Sequence, residues 1–314
     1  MHALLNAIAT LERPTDARRC FHGRGGLHPG CEHWVLDAFP PVWVLTSFKP
    51  VAEAELAAVH AALAARWQTL APDQPLNWVF QCRHEGPAET RLMAGSVPDP
   101  HVVSEDGARF RVQLLKGQNH GLFLDMAEGR RWLRALAAAR PLRKVLNLFA
   151  YTCAFSVVAR LAGARQVVNM DMSHAALAIG QQNHQLNGIT GGASFLAHDI
   201  FSSWGKITRG GPYDLVILDP PSYQKGSFVA TKDYARLVRR LPDLLVPGGH
   251  ALVCLNAPEL GLDFLHALMQ THAPELEFVE RVANPPVFAD VSPERALKVL
   301  VYRAKDLPAQ PPAA

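Results

Sequence analysis

In one segment of the chain, a predicted buried strand is followed directly by an acid and two prolines. Leu215–Leu218 is an apolar block with the length and branching of a central parallel strand. Asp219, Pro220 and Pro221 follow directly, and two prolines cannot continue a hydrogen-bonded ladder. Ligands of open α/β sheets bind at the carboxyl ends of such strands. The segment predicts an acid held by a stiff turn at a binding edge; the alternative is an ordinary proline-rich turn.

Length and composition set outer limits on this chain. Its 314 residues are long for one domain and natural for two, and its net charge of +3 gives no general argument for a nucleic-acid partner. The five cysteines are scattered without a CxxC pair, which predicts reduced thiols. No apolar run approaches the roughly 18–20 residues that span a bilayer. We therefore expect a soluble, cytoplasmic protein without a membrane partner.

The pattern of predicted elements changes near residue 116. Residues 1–116 predict a small strand-rich α+β module, with one long helix at Glu53–Leu70, that could bind substrate. Residues 117–306 predict a catalytic domain in which strands alternate with helices, a pattern that builds a mostly parallel sheet. Residues 307–314 are rich in proline and alanine and predict a disordered tail.

The second domain is expected to hold seven strands. They are predicted at Lys144–Phe149, Gln166–Met170, Ala193–Leu196, Tyr213–Leu218, His250–Leu255, Leu276–Val282 and Ala296–Arg303. The helices are predicted at Glu128–Ala139, Ala154–Leu161, His174–Leu186, Asp233–Leu245 and Glu259–Thr271. The loop Asn284–Pro293 is too short for a helical crossover, so the last two strands should pair antiparallel. The predicted fold class is α/β, a seven-stranded Rossmann-like sheet of the methyltransferase type with a terminal antiparallel hairpin.

The turn after the first of these strands limits the cofactor. A dinucleotide needs glycines there, because its pyrophosphate must approach the backbone closely. Cys153 and Ala154 occupy that position instead. S-adenosylmethionine (SAM) carries no phosphate and tolerates small residues that are not glycine. The turn therefore favours SAM over NAD, FAD or ATP.

Four polar residues at or near strand ends are predicted to converge on one edge of the sheet: Asn147, Asp171, Asp199 and Asp219. Asp171 lies about 20 residues beyond the first turn, the position at which a carboxylate accepts hydrogen bonds from a ribose diol in nucleotide-binding folds. The alternative for Asp171 is a helix N-cap, a role that we assign to Ser173. Asp199 is expected to accept a hydrogen bond from the adenine amino group, with Ile200 beside the ring.

Three motifs resemble those of a known family. Gly117–Asp125, Asn147–Ser156 and Asp219–Tyr223 are similar to the GQKTGFYLD, NLFSYTGGFS and DPPxF segments of bacterial 23S ribosomal RNA methyltransferases, the cytosine-C5 and guanine-N enzymes. The resemblance extends from about Trp78 to Arg303. It implies SAM as cofactor, its sulfonium end near Tyr151, His120 and Phe123, and the reacting methyl near Asp219. The implied cofactor residues are His120, Phe123, Asn147, Phe149, Tyr151, Asp171, Met172, Asp199, Ile200 and Asp219.

The chain departs from the cytosine enzymes at their nucleophile. Methylation of cytosine C5 needs a cysteine that adds to the ring. Aligned from Pro247–Gly249, that position falls on Asn256, two residues past Cys254, and the guanine-methylating relatives show an asparagine there. We therefore predict direct methyl transfer, with Asp219, Pro220, Pro221 and Asn256 as catalytic residues and Cys254 as a core thiol. A cytosine-C5 enzyme that uses Cys254 is the alternative.

The acceptor is expected to be RNA, with ribosomal RNA first. The cytosine enzymes carry an extra RNA-binding domain, and the segment before Cys20 is too short for one, so binding would depend on basic clusters. These are Arg13, Arg18, Arg19 and Arg24, and later Arg236, Arg239 and Arg240. Solvated faces explain such clusters better than phosphate sites do, and core packing explains Trp34, Trp43 and Trp78 better than base stacking.

Other classes of function and one metal site stay open. A protein or small-molecule methyltransferase, or a non-catalytic RNA-binding protein with a cofactor fold, are alternatives. Oligomeric state is not predicted. A zinc site is a minor alternative, because its residues fit no standard spacing. They are Cys20, His22, His28, Cys31 and His33.

Overall fold

The chain forms two compact units. The structure, a computed structural model, describes residues 1–221, 223–224 and 228–306. The first unit contains residues 1–127 and 284–296, and the second contains residues 128–283 and the segment from Leu297 onward. The predicted division of function between residues 1–116 and 117–306 stays a prediction. Ser222 and the predicted tail, residues 307–314, lie outside the described residues.

The first unit is built on a five-stranded sheet with the order β1-β2-β3-β4-β5. Its strands are β1 (Arg18–His22), β2 (Trp34–Phe39), β3 (Val42–Ser47), β4 (Asn77–Cys82) and β5 (Glu89–Ala94), followed by the hairpin β6 (His101–Glu105) and β7 (Ala108–Val112). Its helices are α1 (His2–Ala9) and α2 (Glu53–Leu70). β3 and β4 pair parallel, because α2 provides the crossover between them. The predicted helix at Glu53–Leu70 is confirmed.

The tryptophans of the first unit pack in its core. Trp34, Trp43 and Trp78 are at most 2% exposed and belong to one cluster with the apolar faces of α1 and α2. Burial of such rings is the largest apolar contribution that this small unit has available. The prediction of core packing over base stacking is confirmed.

The second unit contains a seven-stranded sheet with the order β10-β9-β8-β11-β14-β16-β15. Its strands are β8 (Lys144–Leu148), β9 (Gln166–Asp171), β10 (Ala193–Ala197), β11 (Tyr213–Leu218), β14 (Leu245–Leu255), β15 (Leu276–Arg281) and β16 (Lys298–Ala304). A separate short pair joins β12 (Tyr223–Gln224) to β13 (Phe228–Val229). The helices are α3 (Ala127–Ala139), α4 (Ala154–Leu161), α5 (His174–Leu186), α6 (Trp204–Gly210), α7 (Ala230–Val238), α8 (Leu241–Leu244) and α9 (Leu262–His272).

The pairing of the large sheet confirms the predicted fold class. β8, β9, β10, β11 and β14 run parallel, and β16 pairs antiparallel with both β14 and β15. The chain moves outward from β8 through β9 to β10, then returns to place β11 on the other side of β8. The strand order therefore reverses between β8 and β11, which is the position where open α/β sheets bind ligands.

Two predicted elements of the second unit differ in the structure. The single helix predicted at Asp233–Leu245 is wrong, because the chain forms α7 and α8 with a break at Arg239 and Arg240. Pro242, which lacks an N–H and disfavours helix in the residue before it, stands in the first turn of α8. Strand β14 begins at Leu245 rather than at His250. Within the described residues, no helix is both long and apolar enough to cross a membrane.

Candidate active site

The switch point brings three strand ends together. β8 pairs with β11 on one side, where Leu148 faces Leu218, and with β9 on the other, where Leu148 faces Met170. All three strands run in the same direction, so their carboxyl ends lie side by side. The turn Phe149–Cys153 leaves β8, Asp171 ends β9, and Asp219 follows β11. The predicted convergence of the residues after these strands follows from this register.

The turn after β8 has an unusual backbone. Phe149, Tyr151 and Cys153 have φ angles of 56°, 46° and 62°, in the left-handed region that residues with a side chain rarely adopt. Each such residue costs on the order of 1–3 kcal/mol and persists only where its surroundings hold it. Alternation of left-handed with ordinary residues also turns backbone N–H groups toward one side of the turn. The turn is therefore a preformed, polar concavity.

Asp171 holds this turn in place. Its Oδ2 accepts a hydrogen bond from the Tyr151 N–H at 2.8 Å, and its Oδ1 accepts one from the Ser173 N–H at 2.8 Å. Ser173 caps α5, because its Oγ accepts a hydrogen bond from the Ala176 N–H at 3.1 Å, and the prediction of this cap is confirmed. A carboxylate has about four acceptor positions, so Asp171 retains capacity for ligand hydroxyls.

Asn147 lies inside β8 rather than at its end, and its side chain belongs to a buried polar network. Its Nδ2 donates to Asn169 Oδ1 at 2.9 Å, and Asn169 Nδ2 donates to Ser156 Oγ at 2.9 Å. Ser156 Oγ lies 2.9 Å from His184 Nε2, and His184 Nδ1 lies 2.7 Å from the carbonyl oxygen of Gly180. Burial, with a smaller effect of the Arg160 charge, lowers the pKa of His184 against the opposing Gly180 hydrogen bond. The network joins β8, β9, α4 and α5 beneath the turn.

Gly180 of α5 provides the space for Cys153. A Cβ atom at position 180 would lie 2.5 Å from Cys153 Sγ and 3.0 Å from Cys153 Cβ, closer than atoms pack. Cys153 is fully buried, and burial, followed by the charge of Asp171, raises the pKa of its thiol. Cys153 is therefore a packing residue rather than a thiolate nucleophile.

We expect Gly180→Ala to displace the turn and to raise the Kd for SAM by about tenfold. The clash with Cys153 should lower the stability of the fold. Helix propensity alone predicts a gain in stability instead, because alanine is favoured over glycine within a helix by about 1 kcal/mol. Isothermal titration with SAM and a thermal melt measure the two effects. The double variant C153G/G180A should recover SAM affinity, because glycine removes the thiol and suits a φ of 62°. A double variant as weak as G180A would contradict this packing argument.

The predicted cofactor residues around this turn differ in exposure. Met172, directly after Asp171, is 53% exposed and gives an apolar surface at the end of β9. Asp199 is exposed, and its Oδ1 accepts a hydrogen bond from the Phe201 N–H at 3.0 Å. Ile200 is buried in the core of the second unit, and Phe149 packs against that core with its ring 5.5 Å from Phe228. A carboxylate pair and an exposed apolar side chain at neighbouring strand ends suit a nucleoside.

Asp219 lies beside the end of β14. Leu218 faces Val253 in the parallel register, so the residues after β11 and those near Cys254 are neighbours. Tyr234 of α7 donates its hydroxyl hydrogen to the carbonyl oxygen of Cys254 at 2.6 Å. Burial, followed by the charges of Cys254 and Asp219, raises the pKa of Tyr234 well above its ordinary value. Tyr234, absent from the predicted site residues, thus fixes the end of β14 next to Asp219.

The two candidate residues at the end of β14 differ sharply in access. Cys254 is 1% exposed, whereas Asn256, just beyond the strand, is exposed to solvent. Pro220 is buried and Asp219 and Pro221 are half-buried, as expected of a turn that leaves the sheet under restraint. Asn256 is therefore available to a ligand, and the Cys254 thiol is enclosed.

His120 and Phe123 belong to the first unit. The His120 ring packs edge-on against Phe39 at 5.3 Å, and burial, with the charges of Arg83 and Arg19, lowers its pKa to about 4. Its Nε2 is buried without a hydrogen-bond partner among the described residues. Phe123 is 41% exposed. Their role at the sulfonium end of the cofactor stays a prediction.

The histidines and cysteines considered for zinc have other neighbours. The His28 ring stacks on Phe21 at 4.8 Å, and the His33 ring lies 4.7 Å from that of Trp34. In the part of the chain that the structure describes, no group of three or more histidine, cysteine or acidic side chains is arranged to hold a metal ion.

Comparison with known proteins identifies the family. A sequence profile described as "S-adenosylmethionine-dependent methyltransferase" matches residues 18–303. The chain belongs to this family. The family and the cofactor predicted from the motifs are thereby confirmed. Binding of SAM by the turn after β8, Asp171 and Asp219 stays a prediction.

Individual relatives support the same assignment. The chain is 32% identical over 229 residues to ribosomal RNA large subunit methyltransferase I of Aeromonas salmonicida (strain A449), covering 69% of this chain and 57% of the relative. It is 35% identical over 196 residues to ribosomal RNA large subunit methyltransferase K/L of Psychrobacter sp. (strain PRwf-1), covering 60% of this chain and 24% of the relative. The aligned regions therefore span little more than half of one relative and a quarter of the other.

The fold also matches a solved structure. SMU.776, complexed with SAH, superimposes with a TM-score of 0.78 and 22% identity over 96% of this chain and 79% of that chain. At this level of identity the likeness concerns the fold. It agrees with the Rossmann-like sheet described above.

Proposed function

We propose that this protein transfers a methyl group from SAM to a nitrogen atom of an RNA base, with ribosomal RNA as the substrate. The observation that carries direct transfer is the contrast at the end of β14, where Cys254 is 1% exposed and Asn256 is exposed. Covalent catalysis on cytosine requires a thiolate that reaches the ring. An exposed carboxamide beside Asp219 suits a nitrogen acceptor better.

The choice of RNA is supported by the named relatives. Both are ribosomal RNA large subunit methyltransferases, and the match extends over most of this chain. This chain matches only parts of these relatives, so their names support RNA as the acceptor within this proposal. A ribosomal RNA acceptor would be met in the cytoplasm, in agreement with the cysteine content.

The cofactor residues in this proposal are those that fit a nucleoside. Asp171 binds the ribose hydroxyls, Asp199 accepts from the adenine amino group, and Met172 and Phe149 contribute apolar contacts. When bound, SAM supplies an electrophilic methyl group. The restrained turn Phe149–Cys153 needs no rearrangement to receive it, and such preorganisation lowers the free-energy cost of binding.

The acceptor residues position a nitrogen and manage its proton. Asp219 accepts a hydrogen bond from the amino or ring N–H of the base, which orients the nitrogen lone pair toward the methyl carbon. Asn256 gives a second hydrogen bond from the neighbouring strand end. Formation of the nitrogen–carbon bond would break the methyl–sulfur bond of SAM and leave S-adenosylhomocysteine; the nitrogen would gain positive charge, and Asp219 would receive the proton that it releases.

The direct test compares the wild-type protein with Cys254→Ala on RNA from cells that lack the gene. With labelled SAM, both proteins are expected to methylate the RNA at similar rates, and digestion should yield a methylated guanine or another N-methylated nucleoside. The physical reason is that the substitution keeps the Cys254 carbonyl, which accepts from Tyr234, and that loss of the buried sulfur affects packing rather than the chemical step. Liquid chromatography of the labelled nucleosides gives the product.

Three results would contradict the proposal in different ways. A 5-methylcytosine product that disappears in C254A would restore Cys254 as a nucleophile. Label transfer that survives ribonuclease treatment of the substrate would indicate a protein or small-molecule acceptor. Failure of the wild-type protein to bind SAM in isothermal titration would favour a non-catalytic RNA-binding protein.

A further inference from the structure

The first unit carries three arginines whose charges have no matching carboxylate. Among the described residues, the side chains of Arg24 and Arg295 make no hydrogen bond or ion pair, and that of Arg83 bonds only to Gln81 Oε1, at 2.5 Å. The Arg24 guanidinium lies 4.2 Å from the centre of the Phe48 ring, and the Arg83 guanidinium lies 5.9 Å from it. Phe48 is therefore a shared apolar support for two cations. We call these three side chains the arginine cluster.

The backbone that carries Arg24 is fixed by close packing. Arg24 sits in a 3-10 turn, Gly23–Gly25, and a Cβ atom on Gly23 would lie 1.7 Å from the carbonyl oxygen of Cys31. A Cβ atom on Gly25 would lie 2.0 Å from that of Ala289. Glycine at position 23 thus permits a close contact with Cys31, and glycine at position 25 permits one with the segment 284–296. The Val291 N–H donates to the Gly25 carbonyl at 2.8 Å, four residues before Arg295.

Asp37, the acid whose charge acts on Arg83, already has hydrogen-bond partners. Asp37 is 5% exposed, and both its oxygens accept hydrogen bonds from Arg19, at 2.8 and 3.1 Å. Arg19 also lies 2.9 Å from His22 Nδ1, and burial with the charges of Arg19 and Arg24 lowers the pKa of His22 to about 4. His22 is therefore neutral near pH 7, and Arg19 with Asp37 forms a neutral pair. Neither balances the arginine cluster.

The positive charges of the cluster repel one another. Desolvation by the surrounding protein, then the charges of Arg19 and Arg295, lowers the pKa of Arg24. Desolvation, opposed by Asp37, then the charges of Arg19 and Arg24, lowers the pKa of Arg83. Arg24 and Arg295 are exposed and Arg83 is half-buried, so their remaining guanidinium donors can reach an anion that accepts several charge-assisted hydrogen bonds. Guanidinium groups suit phosphate through paired N–H donors.

We infer that Arg24, Arg83 and Arg295 bind phosphate groups along the backbone of the RNA substrate, with Phe48 as the support of the first two. The inference deepens the proposed function and depends on it for the identity of the ligand as RNA. Three cations on three separate segments suit successive phosphates of one chain better than a single small anion. Such contacts set affinity and position, without reading the base sequence.

Fluorescence anisotropy with the full-length protein tests this assignment. The probe is a fluorescein-labelled fragment of unmodified large-subunit ribosomal RNA, titrated across a series of potassium chloride concentrations. R24Q, R83Q and R295Q are each expected to raise the Kd by about tenfold and to reduce the slope of log K against log salt by about 0.7–0.9. R109Q is the matched control, since Arg109 is exposed in the same unit and lies outside the arginine cluster and the predicted basic clusters. It should bind RNA as the wild type does.

Three outcomes decide the inference. Cluster variants that match R109Q in both Kd and salt slope would overturn it. Binding of inorganic phosphate that is lost in R24Q, with unchanged RNA affinity, would also overturn it, in favour of a small-anion site. Variants that lose RNA affinity while their melting temperature and Kd for SAM stay at wild-type values would support it. If the wild type then transfers no methyl group, the proposed function fails while the phosphate site stands.

Discussion

Asp219→Ala is expected to lower kcat by about 10²- to 10⁴-fold, the range of a positioned proton acceptor. The reason is its place in the site. Asp219 follows β11 directly and precedes the buried Pro220. It lies beside the end of β14, where the Tyr234 hydroxyl donates to the Cys254 carbonyl oxygen at 2.6 Å. Asp219→Asn should lower kcat by a similar factor, because it keeps the size of the side chain and removes its charge and its ability to take a proton. Single-turnover methylation of RNA measures the change.

The matched control for Asp219 is Asp243→Asn, an exposed acid in α8 of the same unit. It should leave kcat unchanged. The Kd for SAM should change much less than kcat in D219N, because the carboxylate acts mainly on the acceptor. If D219N and D243N have the same kcat, Asp219 has no part in the proton transfer, and the acceptor must be sought elsewhere.

Asp171→Ala is expected to raise the Kd for SAM by about 100-fold, equivalent to about 2.7 kcal/mol. The carboxylate makes two charge-assisted hydrogen bonds to backbone N–H groups, at 2.8 Å each, and one of them holds Tyr151 at a φ of 46°. Removal of the carboxylate releases the strained turn and deletes the ribose acceptor together. Isothermal titration with SAM gives the affinity.

Asp171→Asn should have an intermediate effect of about tenfold, because an amide oxygen accepts from one N–H group while the amide nitrogen faces the other. Ser173→Ala in the same turn is the control. It removes the cap of α5, a hydrogen bond of 3.1 Å, and should lower stability by about 1 kcal/mol with little change in the Kd for SAM. Equal losses of SAM affinity in D171A and S173A would assign the effect to the helix rather than to the turn.

Most strands and helices of the second unit were predicted from sequence, because apolar periodicity and turn residues mark each element within its own segment. Tyr213–Leu218, Ala154–Leu161 and His174–Leu186 have the predicted bounds. The helix predicted over Asp233–Leu245 is interrupted at Arg239 and Arg240, just before the first turn of α8, where Pro242 has no N–H for a continuous helix. In the first unit the sequence predicts strands at Trp34–Asp37, Val42–Leu45, Trp78–Gln81 and Arg109–Leu114 but none at β1, β5 or β6, since short strands with mixed polarity carry little periodic signal.

Part of the site could also be inferred from sequence, and part could not. The strand ends that carry Asp171 and Asp219 follow from element order, because parallel strands share an edge. The amide of Asn147, by contrast, bonds to Asn169 within a buried network, which depends on the neighbouring strand and on α4 and α5. Tyr234 enters the site through a hydrogen bond that spans 20 residues of sequence. Neither contact has a local signature.

The sequence by itself determined the fold class, the family and the chemical type of the cofactor, because strand–helix alternation and strand-end residues are local in the chain. Tertiary structure alone decided three further features. They are the left-handed turn held by Asp171, the enclosure of Cys254 beside an exposed Asn256, and the assembly of Arg24, Arg83 and Arg295 in one unit. Each depends on contacts between segments far apart in sequence, which set backbone strain, solvent access and charge balance together.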